Sequence, residues 1–130
     1  MISVDDYLTT QGRHPERLKF VDDEIRKNAA MLLDHVNAIL AEYGHGEKRI
    51  TSGYRDPTSN AAAGGAKYSW HMRGLAVDID DLAGNFGAWL MEDESRLRKH
   101  GLYAEDPRFT KSWVHLQTEP PRSGKRIFRP

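Results

Sequence analysis

The sequence predicts an α+β fold, because one long amphipathic helix precedes short strand-like runs that do not alternate regularly with helices. The helix is the clearest element. In "DEIRKNAAMLLDHVNAILAEYG", Ile25, Ala29, Leu32, Val36 and Ile39 recur at helical spacings, Leu33 and Leu40 widen the stripe, and Gly44 supplies a stop. The strands show in "GLAVDID" and "SWVHLQ". In the first, Leu75, Val77 and Ile79 face one way, and Ala76, Asp78 and Asp80 the other. In the second, Trp113, His115 and Gln117 oppose Val114 and Leu116.

The remaining elements follow in order. Ser3, followed by Asp6, caps a short helix that includes Tyr7 and Leu8. Pro15 opens another turn, with Leu18 and Phe20 expected as buried anchors. "KRITSGYR" reads as a short strand around Ile50 that ends at Gly53. In "DPTSNAAAGG", Asp56 is a cap, Pro57 a first helical residue and Gly64–Gly65 a terminator. Asn85 is placed to cap a second long helix carrying Phe86, Trp89, Leu90 and Leu97, ended by Gly101. Residues 119–130, "EPPRSGKRIFRP", form a basic, Pro-containing tail that either lies along the body through Phe128 or stays loose. There is no internal repeat and no linker, so residues 1–130 read as one domain.

Bulk properties exclude several classes. A chain of 130 residues buries a real core without covalent staples, and the absence of cysteine rules out disulfides and thiolate zinc sites. Lys plus Arg and Asp plus Glu both number 19, so no global field draws the chain to nucleic acid or an acidic membrane. No stretch reaches transmembrane length. The N-terminal "MISVDDYLTTQG" reads as neither a signal nor a transit peptide, so cytoplasmic synthesis is expected, with a monomer as the working state.

Three residues carry chemistry where strand geometry can present them. Asp78 projects from a strand whose other face is apolar, His115 does the same on the last strand, and His71 lies in a loop ahead of Gly74. Two imidazoles and one carboxylate, with a fourth position left for water, make a typical catalytic zinc shell. The same residues also read as a solvent-facing strand carboxylate and satisfied core histidines, and spacing alone does not separate the two. Arg55 also reads as a surface salt-bridge residue or a strand-end phosphate contact, Ser69 as a cap, Asn60 as an Asx-turn or helix-start residue and Trp113 as core.

Taken together, "SGYR" at 52–55, Asn60, Gly64–Gly65, "SWHMRGLAVDID" at 69–80 and "WVH" at 113–115 resemble the M15 family of zinc peptidases. This group includes D-Ala-D-Ala carboxypeptidases and phage endolysins, and it shares its fold with the hedgehog signalling domain. The resemblance implies a small antiparallel sheet packed against helices, with Zn2+ as cofactor and His71, Asp78 and His115 as its ligands. It implies Arg55 near the substrate carbonyl or terminal carboxylate and Ser69 on the peptide, with Asn60 and Trp113 as further substrate contacts.

One position departs from the family pattern. Some members carry a glutamate two or three residues before the last histidine, where this chain has Trp113 and Ser112. The general base is therefore sought among nearby carboxylates, with Asp106 first, although Asp106–Pro107 also reads as a turn opener, and with Glu105 and Glu119 as alternatives. The function the resemblance implies is hydrolysis of an amide bond in the peptide stem of bacterial peptidoglycan. Release at phage or prophage lysis, or carriage in a virion, would bring the enzyme to the wall. The alternatives are a non-catalytic zinc-containing binding domain and a cytoplasmic D,D-dipeptidase.

Overall fold

The computed structural model describes residues 1–130. Its elements are α1 (Val4–Thr9), α2 (Asp23–Tyr43), β1 (Ile50–Ser52), α3 (Pro57–Ala62), β2 (Ala76–Asp80), α4 (Asn85–Glu92), α5 (Ser95–Lys99), β3 (Tyr103–Glu105), β4 (Trp113–Gln117) and β5 (Ile127–Phe128). The five strands form one sheet in the order β1-β2-β4-β3-β5. All neighbours are antiparallel except β3 and β5, so the expected antiparallel sheet is mixed at one edge.

Helix α2 forms as its sequence dictates. The Asp22 carboxylate accepts from the Ile25 N–H at 2.8 Å, which satisfies one of the orphan donors of the first turn. Gly44 closes the helix in the left-handed conformation. Between these ends, Ala29, Leu32, Leu33, Val36 and Ile39 are buried and join Val77, Ile79, Val114 and Leu116 in one core cluster. One face of β2 and β4 is thereby committed to α2, which leaves Asp78 and His115 on the other face.

Helix α1 ties the first residues to the site strands. The Tyr7 hydroxyl donates to the Ala76 carbonyl at 2.8 Å, and the Tyr7 carbonyl accepts from the Tyr54 N–H at 3.2 Å. Gly53 is required beneath it, since a Cβ there would stand 2.1 Å from the Tyr7 carbonyl oxygen.

Three expectations are corrected. The turn at Pro15–Phe20 forms as a 3₁₀ helix, but Leu18 and Phe20 stay 40% and 47% exposed and anchor nothing. The long helix expected from Asn85 to Gly101 breaks into α4 and α5 at Asp93, whose backbone is extended and whose carboxylate binds the Ser95 N–H at 3.0 Å. An Asx turn is a local competitor of the helix, and here it wins. Asn85 is not the cap either: Asp81 accepts from the N–H groups of Phe86 and Gly87 at 3.0 and 2.8 Å. Residues 127–128 of the basic tail join the sheet as β5.

Candidate metal centre and cleft

Strand register builds the first half of the site. Asp78 and His115 are direct partners across the antiparallel β2–β4 ladder, where side chains on one face meet. His115 Nδ1 lies 2.9 Å from Asp78 Oδ1. Its other nitrogen, Nε2, donates to Gln117 Oε1 at 2.7 Å, and the Gln117 amide nitrogen donates to the Glu119 carbonyl at 2.8 Å. The second bond fixes the amide orientation, which in turn directs the imidazole.

His71 comes from a 3₁₀ turn, Trp70–Arg73, between two local signals. The Ser69 hydroxyl accepts from the His71 N–H at 3.2 Å, and Gly74 ends the turn in the left-handed region at φ 77°. A Cβ on Gly74 would also sit 2.8 Å from the Ile25 carbonyl oxygen, so the turn lies close against α2. His71 Nδ1 donates to the Gly53 carbonyl at 2.8 Å, leaving Nε2 directed at Asp78 Oδ1 3.4 Å away.

Arg55 completes the frame. It donates to Ser52 Oγ at 2.9 Å, Asn60 Oδ1 at 3.4 Å and Asp78 Oδ2 at 3.3 Å. The two oxygens of Asp78 are thus divided: Oδ2 faces the guanidinium and Oδ1 faces the imidazoles. Burial would raise the Asp78 carboxyl pKa, but His71 and His115 outweigh it and hold the group well below the usual carboxylate range. Burial lowers His71, whereas for His115 the bond and charge of Asp78 overcome burial and raise it.

One ligand atom from each of His71, Asp78 and His115 lies within 4.8 Å of the others. Each imidazole has its remote nitrogen pinned to an oxygen, as metal-ligating histidines usually do. Two nitrogens and one carboxylate oxygen, with no thiolate, suit Zn2+. The residues present fit the ion.

The family described as Peptidase M15 matches residues 8–117. The chain belongs to the M15 peptidases. No curated protein matches the chain. Its mixed α+β architecture agrees with the DD-peptidase-like fold of that family. Family membership and the His/Asp/His cluster together support zinc-dependent peptidase activity.

In this M15 peptidase the cluster lies in a cleft of about 550 Å3, also lined by Arg55, Ser69, Glu105 and Trp113. Ser69 both caps the turn and reaches the cleft. Trp113 is half-buried in its wall. Asn60 is buried and does not line the cleft; its amide donates to the Ala66 carbonyl at 2.8 Å and its oxygen holds Arg55. It braces the arginine from behind.

The carboxylates separate clearly. Asp106 is buried away from the cleft, where it caps the 3₁₀ turn Pro107–Phe109 and binds the Arg108 guanidinium at 2.6 Å. That guanidinium holds its carboxyl below the usual range. Glu119 contributes a carbonyl to Gln117 and is not part of the cleft lining.

Glu105 does line it. Tyr103 pairs with Gln117 and Ala104 with Leu116, so continuing the register sets Glu105 opposite His115, on the same face. Burial pushes its carboxyl pKa up, with His115 opposing and Asp78 and Asp106 reinforcing. The signal that would have chosen Glu105 over Asp106 was strand parity, hidden because β3 is three residues long. Gln117 was visible on the His115 face, but its role as the partner of that imidazole appears only with the side-chain geometry.

Proposed function

We propose that this M15 peptidase hydrolyses an amide bond in the peptide stem of bacterial peptidoglycan. The observation that carries the reading is the convergence of His71, Asp78 and His115 on one point in a cleft walled by Arg55 and Glu105. Zinc held by these residues supplies Lewis acidity toward a substrate carbonyl and toward water.

The chain's own residues supply the rest. Glu105, in place of Asp106, is the general base: its carboxylate oxygen takes a proton from the attacking water and passes it to the leaving nitrogen. A carboxyl raised by burial is better matched to both transfers near neutral pH than an ordinary glutamate. Arg55 fixes Asp78 and presents its remaining N–H donors to negative charge developing on the substrate carbonyl oxygen. Trp113 offers a flat apolar side for the peptide.

The cell wall is the proposed setting, reached after phage or prophage lysis or as part of a virion; this follows from the likeness to endolysins. The test is zinc content by elemental analysis, combined with release of new amines from purified peptidoglycan by native, chelated and zinc-restored protein. Near-stoichiometric zinc with chelator-sensitive amine release is expected. Stoichiometric zinc with no cleavage of peptidoglycan or stem peptides would overturn the reading in favour of a binding domain.

A further inference from the structure

The cleft has a second cationic wall that the proposed chemistry leaves idle. Arg122 and Arg129 both line it, beside Pro121 and Phe128. Both side chains are exposed, and neither has an ion pair or hydrogen bond within the chain. The other arginines, Arg49 apart, are tied to a carbonyl or carboxylate of the protein.

The two free guanidinium groups are nonetheless held at the cleft. Phe128 pairs with Glu105 in the parallel β3–β5 ladder, and its carbonyl accepts from the Asp106 N–H at 2.7 Å. The Phe128 ring meets His115 edge-on, with centroids 6.2 Å apart. The Arg129 guanidinium lies 5.8 Å from the Phe109 ring centroid. Arg122 follows Pro120 and Pro121, which restrict the backbone leading to it. This segment lies beyond the family match, which ends at residue 117.

Arg55 is differently occupied. Its guanidinium faces Ser52, Asn60 and Asp78, so the uncommitted positive charge of the cleft stands at Arg122 and Arg129. Building on the peptidase reading, we propose that Arg122 and Arg129 are specificity-determining residues that select stem peptides with free carboxylates over the same peptides amidated. Planar guanidinium forks suit carboxylates, and both groups can close on a ligand without first breaking an internal pair. Two exposed pairs of this kind correspond to about a three- to tenfold preference at low salt.

The test is an NMR titration of the zinc-loaded protein with a stem pentapeptide, carboxylates free, and with its amidated counterpart. The free acid should bind about three- to tenfold more tightly at low salt, and the advantage should shrink as salt rises. The double variant Arg122→Gln/Arg129→Gln should bind both peptides alike, whereas Arg122→Lys/Arg129→Lys should retain part of the preference. Equal binding by wild type, or a preference surviving in the glutamine variant, would overturn the proposal. Spectra recorded before turnover is detectable read binding of the intact peptide, and the same samples followed to completion read hydrolysis. Preference without hydrolysis thus supports this wall and counts against the peptidase reading, whereas hydrolysis of both peptides at equal affinity does the reverse.

Discussion

His115 is gripped at both ring nitrogens: Nδ1 lies 2.9 Å from Asp78 Oδ1, and Nε2 donates to Gln117 Oε1 at 2.7 Å. With Nε2–H committed to the amide, Nδ1 is the nitrogen that can lose its proton and turn a lone pair toward a cation. Gln117 is thus expected to position His115 for a cation held by the cluster.

Gln117→Leu should weaken zinc binding by about 10- to 100-fold, the usual cost of losing such a partner to a ligating histidine. Competition with a chromogenic chelator measures this. Long-range nitrogen–proton NMR of His115 should also show the Nε2–H tautomer in zinc-loaded wild type and a mixture in the variant. Unaltered affinity and tautomer would confine Gln117 to packing.

Glu105 and Asp106 should exchange roles relative to the order in which the sequence ranks them. Glu105→Gln should retain zinc and lower the rate by about 10²- to 10⁴-fold, as loss of a general base does. Asp106→Asn should retain both zinc and rate. The stability signs differ as well. Glu105 has a raised pKa in the fold, so its ionised form detracts from stability as pH rises above the unfolded value, about 4.3. Metal-free Glu105→Gln should therefore melt higher than wild type at neutral pH and alike in acid. Asp106 is depressed, so its contribution is present above about pH 3.9 and fades as pH falls through the folded value. Asp106→Ala should cost about 1 kcal/mol at neutral pH through the lost cap. Urea denaturation across pH reads both signs.

Alternation assigns Asp78 and His115 to the face opposite Val77, Ile79, Val114 and Leu116, but only the family resemblance marks them, with the loop residue His71, as ligands. The base was not legible in the sequence. Tyr103–Glu105 is too short to show a period, and Asp106 beside Pro107 is the cap of a 3₁₀ turn. The break at Asp93 was hidden for a related reason: the apolar stripe through Phe86, Leu90 and Leu97 continues across it, while the Asx turn that interrupts the backbone is visible only as Asp93 and Ser95. Leu18 and Phe20 illustrate the opposite limit. Apolar residues beside a helix opener suggest burial, yet nothing in the local pattern tells whether another surface reaches them.

Arg55 should matter to stability before it matters to turnover. Its side chain and that of Asp78 are 14% and 10% exposed, so Arg55→Met leaves a buried carboxylate without its guanidinium. Metal-free Arg55→Met should lose about 3 kcal/mol. Zinc should restore part of this, because the cation gives Asp78 an opposite charge again. Arg55→Lys keeps a charge but cannot span Ser52, Asn60 and Asp78 together, so an intermediate loss is expected. Denaturation with and without zinc checks the order. Equal loss in both variants would mean that the fork, not the charge, holds the site.

Asp78→Asn separates the electrostatics of the centre from its shape. The amide occupies nearly the same space but withdraws the bond and charge of Asp78 that raise His115, leaving the weaker Gln117 bond and Glu105 charge against the burial that lowers it. In metal-free wild type the His115 midpoint should lie above the ordinary histidine value, about 6.5, and in the variant it should fall below the wild-type midpoint. The stability consequence follows in sign. In wild type, the His115–Asp78 pair is fully stabilising below the unfolded histidine pKa, and that increment disappears as pH rises through the higher folded pKa. In Asp78→Asn that increment should shrink, so stability should fall less as pH rises through the histidine range. Zinc retention should be lost in the same variant, since one of three protein ligands has become neutral. NMR titration of the imidazole gives the midpoints, and elemental analysis gives the zinc. A variant with unchanged zinc affinity would remove Asp78 from the centre, whatever its effect on His115.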